Sequence, residues 1–301
     1  MTGSATDAAR DSYYGRPILK EPVWTWEIPV YFFFGGMAGA AAPFALVSEL
    51  RGDEALARRA WLVALAGVAA SPPLLIADLG VPERFHHMLR VLKPTSPMSL
   101  GTWVLGASST AIAFANARSL FGWFPRLQRL AGAAAVLGPA LSTYTAVLMA
   151  DTAIPVWHEA RGELPFVFAS GAAMSAGSAM ALIGGGAPAR RLALVGAAGE
   201  LASTTIMERR LGPLGEPYHE GAAGHAARAA KALTAAGGLV MAWRGRHRAG
   251  AAAGATLMLA GALATRWAVY KAGFQSAADP KYVVEPQRAR MAARAEASAA
   301  R

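Results

Sequence analysis

Runs of about 20 apolar residues recur along the chain, separated by short polar connections that carry arginine. At 1.5 Å per residue, each run is long enough to cross a hydrocarbon core about 30 Å thick. Only 16% of the 301 residues are charged, well below the roughly 25% typical of a soluble domain. The pattern predicts an all-α polytopic membrane protein.

Eight spans are expected, at Ile28–Leu50, Ala60–Leu79, Met98–Ala117, Leu130–Ala150, Leu164–Ile183, Leu192–Met207, Ala229–Trp243 and Gly250–Tyr270. They divide naturally into two four-helix bundles. A polar segment, 1–27, precedes the transmembrane domain, 28–270, and a basic tail, 271–301, follows it. The tail reads as a frayed surface helix or a disordered end. The first 27 residues lack the basic-then-apolar pattern of a cleaved signal, so the first span is expected to direct insertion.

Tryptophans mark the span ends. Trp24 and Trp26 precede the first span, Trp61 opens the second, Trp243 closes the seventh and Trp267 nears the end of the eighth. Indole prefers the interface because it joins an apolar body to a polar N–H. An even number of spans puts both termini on one face. The loops on the other face are short and dense in arginine (51–59, 118–129, 184–191 and 244–249), which places them in the cytoplasm and the termini outside. The net charge of +10 is therefore an orientation signal, and nucleic acid is not an expected partner. Lys231, at the entrance of the seventh span, can snorkel to the interface. Gly35-x-x-x-Gly39 offers a close helix crossing. Pro72-Pro73 should bend the second span, with Pro43 and Pro139 as milder cases.

There is no cysteine, and the six histidines all lie in loops or at span ends. Haem needs imidazoles facing each other inside the bundle, and iron–sulfur clusters need thiolates. Neither cofactor is expected in this chain.

Polar residues gather on the face that carries the termini. Glu27 and Tyr31 start the first span, and Asp78 ends the second. The loop 81–97 holds His86, while Tyr144 and Asp151 lie near the end of the fourth span. Glu208 ends the sixth span, with Arg266 near the same level in the eighth, where the two could pair simply to neutralise each other. Glu200 sits mid-span, where a carboxyl is paired, protonated or part of a proton path. A quinone suits such a set. Its two carbonyls need donors, its tail needs an apolar groove, and its reduction needs proton-bearing groups within reach.

Three stretches carry a family resemblance: Trp24-x-Trp26-Glu27 with Tyr31-Phe-Phe-Phe-Gly-Gly-Met-Ala-Gly39, Lys93-Pro-Thr-Ser-Pro-Met-Ser-Leu-Gly-Thr-Trp103, and Tyr144 through Asp151, Pro155-Val-Trp157 and Leu164-Pro165 to Gly171. Together they resemble the NrfD/PsrC family, the membrane subunits of polysulfide reductase and related molybdoenzymes. The Pro94-Thr-Ser-Pro97 loop is the most specific piece. The resemblance implies a haem-free, eight-helix subunit that binds menaquinone or ubiquinone. It would exchange electrons with a ferredoxin-like iron–sulfur subunit and, through it, with a molybdopterin catalytic subunit. It implies quinone contacts at Tyr31 and Tyr144, with Glu27 and Asp151 nearby. Asp78, His86, Glu200, Glu208 and Arg266 are the proton-transfer candidates. Family members can carry asparagine and histidine at the positions of Ile28 and Tyr31, where this chain departs. Two other readings remain open. One is a secondary transporter with a mid-membrane Glu/Arg site, and the other is an anchor that also pumps protons through Glu200.

Overall fold

The computed structural model describes residues 17–123 and 128–299. The first 16 residues of the polar segment and Arg126 of the arginine-bearing loop lie outside them. Among the described residues the chain is helical, with no strand. The long helices are α1 Glu27–Leu50, α2 Glu54–Ala77, α3 Pro97–Phe121, α4 Gln128–Ala150, α5 Leu164–Leu182, α6 Gly186–Leu211, α7 Gly221–Arg244 and α8 Arg248–Ala278, followed by α9 Lys281–Ala299. Six of these are long and apolar enough to cross a membrane: α1, α2, α3, α4 over Ala131–Ala150, α5 and α8. The protein is a multi-pass membrane protein. Helices α6 and α7 are just as long, at 26 and 24 residues, but they carry charge within their length.

Helix limits run past the expected spans. Helix α6 occupies 186–211 rather than 192–207, and α8 continues to Ala278 rather than Tyr270. Hydropathy marks where lipid ends, whereas arginine, glutamate and lysine continue a helix readily. Backbone chemistry ends it. Helix α3 stops at Gly122, whose φ of 68° is left-handed, a conformation glycine adopts without a Cβ clash.

Helix α1 is central. It packs on α2, α4, α5 and α8, while α3 packs on α2 and α4, α5 on α6 and α8, and α7 on α8. It crosses α4 closely. A Cβ on Gly39 would lie 2.5 Å from both the Gly138 carbonyl and Ser142 Oγ. A Cβ on Gly138 would meet Pro43 Cδ at 2.8 Å. Only the Gly39 end of the expected small-residue stripe makes this approach. At Gly35 an added Cβ would find Tyr31 and Ser71 at ordinary contact distances of 3.4 and 3.6 Å. Helix α2 runs unbroken through Pro72-Pro73.

The tryptophans divide into two groups. Trp26 and Trp243 are exposed, as an interfacial belt requires. Trp61 is fully buried and donates Nε1–H to Glu49 Oε1 at 2.8 Å. The same carboxylate takes Arg118 of α3, so one polar cluster ties this end of α1, α2 and α3 together. Trp61 opens an apolar run and so reads as interfacial, but it is buried and Glu49 supplies its partner.

The C-terminal tail is a helix tied to the body of the protein. Glu216 accepts from Lys281 Nζ at 2.7 Å and from the Tyr282 hydroxyl at 3.0 Å, and Arg290 pairs with Glu159 at 2.8 Å. The hydrogen bonds from Lys281 and Tyr282 hold the Glu216 carboxyl below the usual range, and the bond to Glu216 raises the Lys281 ammonium above its own.

Candidate functional site

The Pro94-Thr-Ser-Pro97 motif is first a helix start. Ser96 caps α3 by accepting from the Ser99 N–H, and Pro97 occupies the first helical position, where its missing N–H costs nothing. Ser99 and Trp103 then clasp the preceding loop. Ser99 Oγ donates to the Val91 carbonyl at 3.0 Å and accepts from the Lys93 N–H, while Trp103 Nε1 donates to Val91 at 3.3 Å. The clasp sets the loop, with its 3₁₀ segment Pro82–Leu89, over the mouth of a cavity.

This cavity measures about 400 Å³ and lies between α1, α2, α3 and α4 at the face that carries the termini. Its wall is mainly apolar, with Ile28, Phe32, Pro72, Leu75, Leu105 and Leu148 from the helices and Phe85, Met88 and Leu89 from the loop. Six polar side chains also line it: Tyr31, Tyr144, Asp78, Ser109, Thr102 and Thr110. Tyr31 is 2% exposed, and its buried hydroxyl has no hydrogen-bond partner among the described residues. The same is true of the Ser109 hydroxyl. Thr102 is internally satisfied, donating to the Met98 carbonyl. Buried hydroxyls without partners are uncommon in native proteins and mark places where another group completes the bonding.

Other predicted residues are placed differently. Glu27 does not line the cavity but reaches its edge through Thr25, whose hydroxyl lies against Glu27 Oε2 and 2.7 Å from Asp78 Oδ1. The Thr25 N–H also donates to Asp78, at 2.8 Å. One hydroxyl has a single proton to give, so the two carboxyl groups are linked through an atom that can donate to only one of them. Asp151 is exposed beyond the end of α4 and away from the cavity wall. His86 is exposed on the 3₁₀ segment, with Nδ1 3.0 Å from the Glu83 carbonyl, and does not line the cavity either. Glu200, Glu208 and Arg266 lie in the α6–α8 half. The Glu208–Arg266 pairing does not form, because Glu208 takes Lys231 of α7 at 2.5 Å. Lys231, whose side chain is partly exposed, makes that ion pair from α7.

Behind the cavity an aromatic cluster joins the two halves of the molecule. Trp24 stacks on Trp157, with ring centroids 5.4 Å apart, and meets Phe32 edge-on. Trp157 is fully buried and donates to the Val269 carbonyl at 2.7 Å. The Tyr270 hydroxyl donates to the Trp24 carbonyl at 2.7 Å, fixing the strand of chain that leads into α1. Among the described residues, no group of three or more histidine, aspartate or glutamate side chains is placed to hold a metal ion.

Residues 19–193 match the family model described as polysulphide reductase, NrfD. The chain belongs to the NrfD family. The match covers more than half of the sequence, and every residue lining the cavity falls inside it. NrfD proteins are membrane subunits of quinone-linked oxidoreductase complexes, and this family generally associates with iron–sulfur and molybdoenzyme subunits. No curated protein matches the chain.

Proposed function

We propose that this NrfD protein is the quinone-reactive anchor of a multi-subunit oxidoreductase. In this reading all eight long helices span the cytoplasmic membrane in two four-helix groups, α1–α4 and α5–α8, with both termini outside. The observation that carries it is the 400 Å³ apolar cavity containing the buried, partnerless hydroxyl of Tyr31. Ligand sites of this size are mostly apolar with a few placed polar groups, and the residues fit a quinone headgroup. Tyr31 and Ser109 offer hydroxyl donors, Tyr144 a further one, and the helix faces around Leu75, Leu105 and Leu148 receive an isoprenoid tail. A bound quinone supplies two-electron, two-proton redox chemistry.

The chain's own residues do the rest. Tyr31 and Ser109 orient the headgroup by satisfying their own hydroxyls on its oxygens. The loop 82–89 shields it from water with Phe85, Met88 and Leu89. Asp78, on the cavity wall, exchanges protons with solvent through Thr25 and Glu27. Electrons pass to or from an iron–sulfur subunit docked on the terminus face, which connects to a molybdopterin catalytic subunit. Asp151 and His86, exposed on that face, belong to the docking surface in this reading rather than to the quinone.

Turnover of the intact complex separates these roles. Tyr144→Phe is expected to slow quinone-coupled turnover while leaving the catalytic subunit active with a soluble dye. Unchanged quinone-coupled activity in that variant would remove Tyr144 from the site.

A further inference from the structure

Four features of the α6–α8 half have no role in holding a quinone. Glu200 of α6 is 2% exposed, and neither of its carboxyl oxygens has a hydrogen-bond partner among the described residues, the nearby Thr265 hydroxyl donating to the Gly261 carbonyl instead. Arg266 of α8, equally buried, leaves Nε and Nη1 unpaired among the described residues and meets Phe168 through a 2.9 Å bond to the carbonyl and a cation–π approach of 4.1 Å. The two charged groups converge on Gly171 without bonding to each other. A Cβ there would lie 2.6 Å from Glu200 Oε2 and 2.9 Å from Arg266 Nη2. Finally, the buried hydroxyls of Thr234 and Tyr218 also lack partners among the described residues.

These groups are not scattered. Glu200, Thr204, Thr234, Thr265 and Tyr218 line one small cavity that reaches the Glu208–Lys231 pair at the terminus face. Its volume is about 20 Å³, above the ~10–15 Å³ that one water needs, and a buried water also needs two to four polar partners. This wall supplies them. A purely structural ion pair would bring Glu200 and Arg266 into contact, because a buried pair repays its desolvation only with good geometry. Here the geometry leaves a gap with polar groups around it. All of these residues except Gly171 and Phe168 lie past residue 193, where the family match ends.

We propose that α6, α7 and α8 enclose a second site, a water-linked proton path that enters at Glu208 and Lys231 and ends at a proton-holding Glu200. Tyr218 and Thr234 relay through their hydroxyls. Burial, and then the Glu208 charge, push the Tyr218 hydroxyl above the usual tyrosine range, so it remains neutral and able both to donate and to accept. The path stops beside Arg266, whose fixed positive charge opposes passage of a proton beyond Glu200.

Infrared spectroscopy of the full chain in lipid nanodiscs tests this without quinone. The expected result is a protonated-carboxyl band that shifts within minutes in D₂O and is absent in Glu200→Gln. If that variant does not fold, Glu200→Asp assigns the band by moving it. Ala230→Leu fills the cavity from α7 without altering an ionisable group, and it should slow the shift at least tenfold. The proposal is overturned by the absence of a protonated band from Glu200, by a band indifferent to D₂O, or by an unchanged rate in Ala230→Leu. None of these readings involves Tyr31 or Tyr144, so failure here leaves the quinone assignment standing, and failure there leaves this one.

Discussion

Gly101 of α3 is the seat on which the Tyr144 ring of α4 rests. A Cβ at 101 would overlap Tyr144 Cε2 and lie 2.7 Å from Cδ2. The glycine in the Pro97-Met-Ser-Leu-Gly101 stretch therefore leaves the room that the Tyr144 ring occupies at the cavity wall. Alanine favours helix over glycine, so Gly101→Ala should fold normally yet push the ring aside. The expected effect is a loss of quinone affinity of about tenfold, or ~1.4 kcal/mol, measured by titration of the purified protein.

The stacked pair Trp24 and Trp157 should dominate the stability of the join between the two helix groups. Trp157 is fully buried and bonded to Val269. Truncating such a side chain typically costs about 3–5 kcal/mol. Trp157→Ala should markedly lower the apparent unfolding temperature in detergent and abolish the near-ultraviolet circular-dichroism signal of the stacked indoles.

The α1–α4 crossing should tolerate no side chain at Gly138, where the Gly39 carbonyl and Pro43 already fill the space. Gly138→Val forces backbones apart, and overpacking of this kind typically costs about 1–3 kcal/mol or more. Yield and thermal stability should fall, while Gly132→Val, at an open position on the same helix, should leave both unchanged.

Much of this was legible in the sequence, for stated reasons. Apolar runs give the long helices because backbone groups in lipid must bond within their own segment. Tyr31, Tyr144 and Asp78 stood out as polar groups at the ends of such runs, and the structure brings all three to one wall. Ser109 and Thr25 did not stand out, because hydroxyl residues are common in helices and turns and only burial or a bridging position distinguishes them. Asp151 and His86 carried suitable chemistry, but neither lines the cavity. A sequence gives depth along a helix more readily than direction around it. The partner of Lys231 was not legible, because Glu208 lies on a different helix.

Tethering of the C-terminal helix should depend on pH. The carboxyl of Glu216 lies below the usual range, so its contribution is present above the ordinary glutamate value and is lost as pH falls through the lowered one. The Lys281 ammonium lies above its usual range, so its share is lost only as pH rises through that raised value. Proteolysis of the tail should be slow at neutral pH and faster in acid below the ordinary glutamate range. Glu216→Gln should be cleaved faster at neutral pH and show little further change on acidification.

The central claim is that the cavity between α1 and α4 holds a quinone, and a photoreactive quinone tests it most directly. Irradiation of the protein in nanodiscs, followed by peptide mapping, is expected to place adducts on residues 24–32, 75–89, 98–110 and 144–148. Excess natural quinone should suppress those adducts, and Tyr31→Phe should reduce them. Adducts that concentrate on α6, α7 or α8, or labelling that natural quinone fails to suppress, would contradict the assignment.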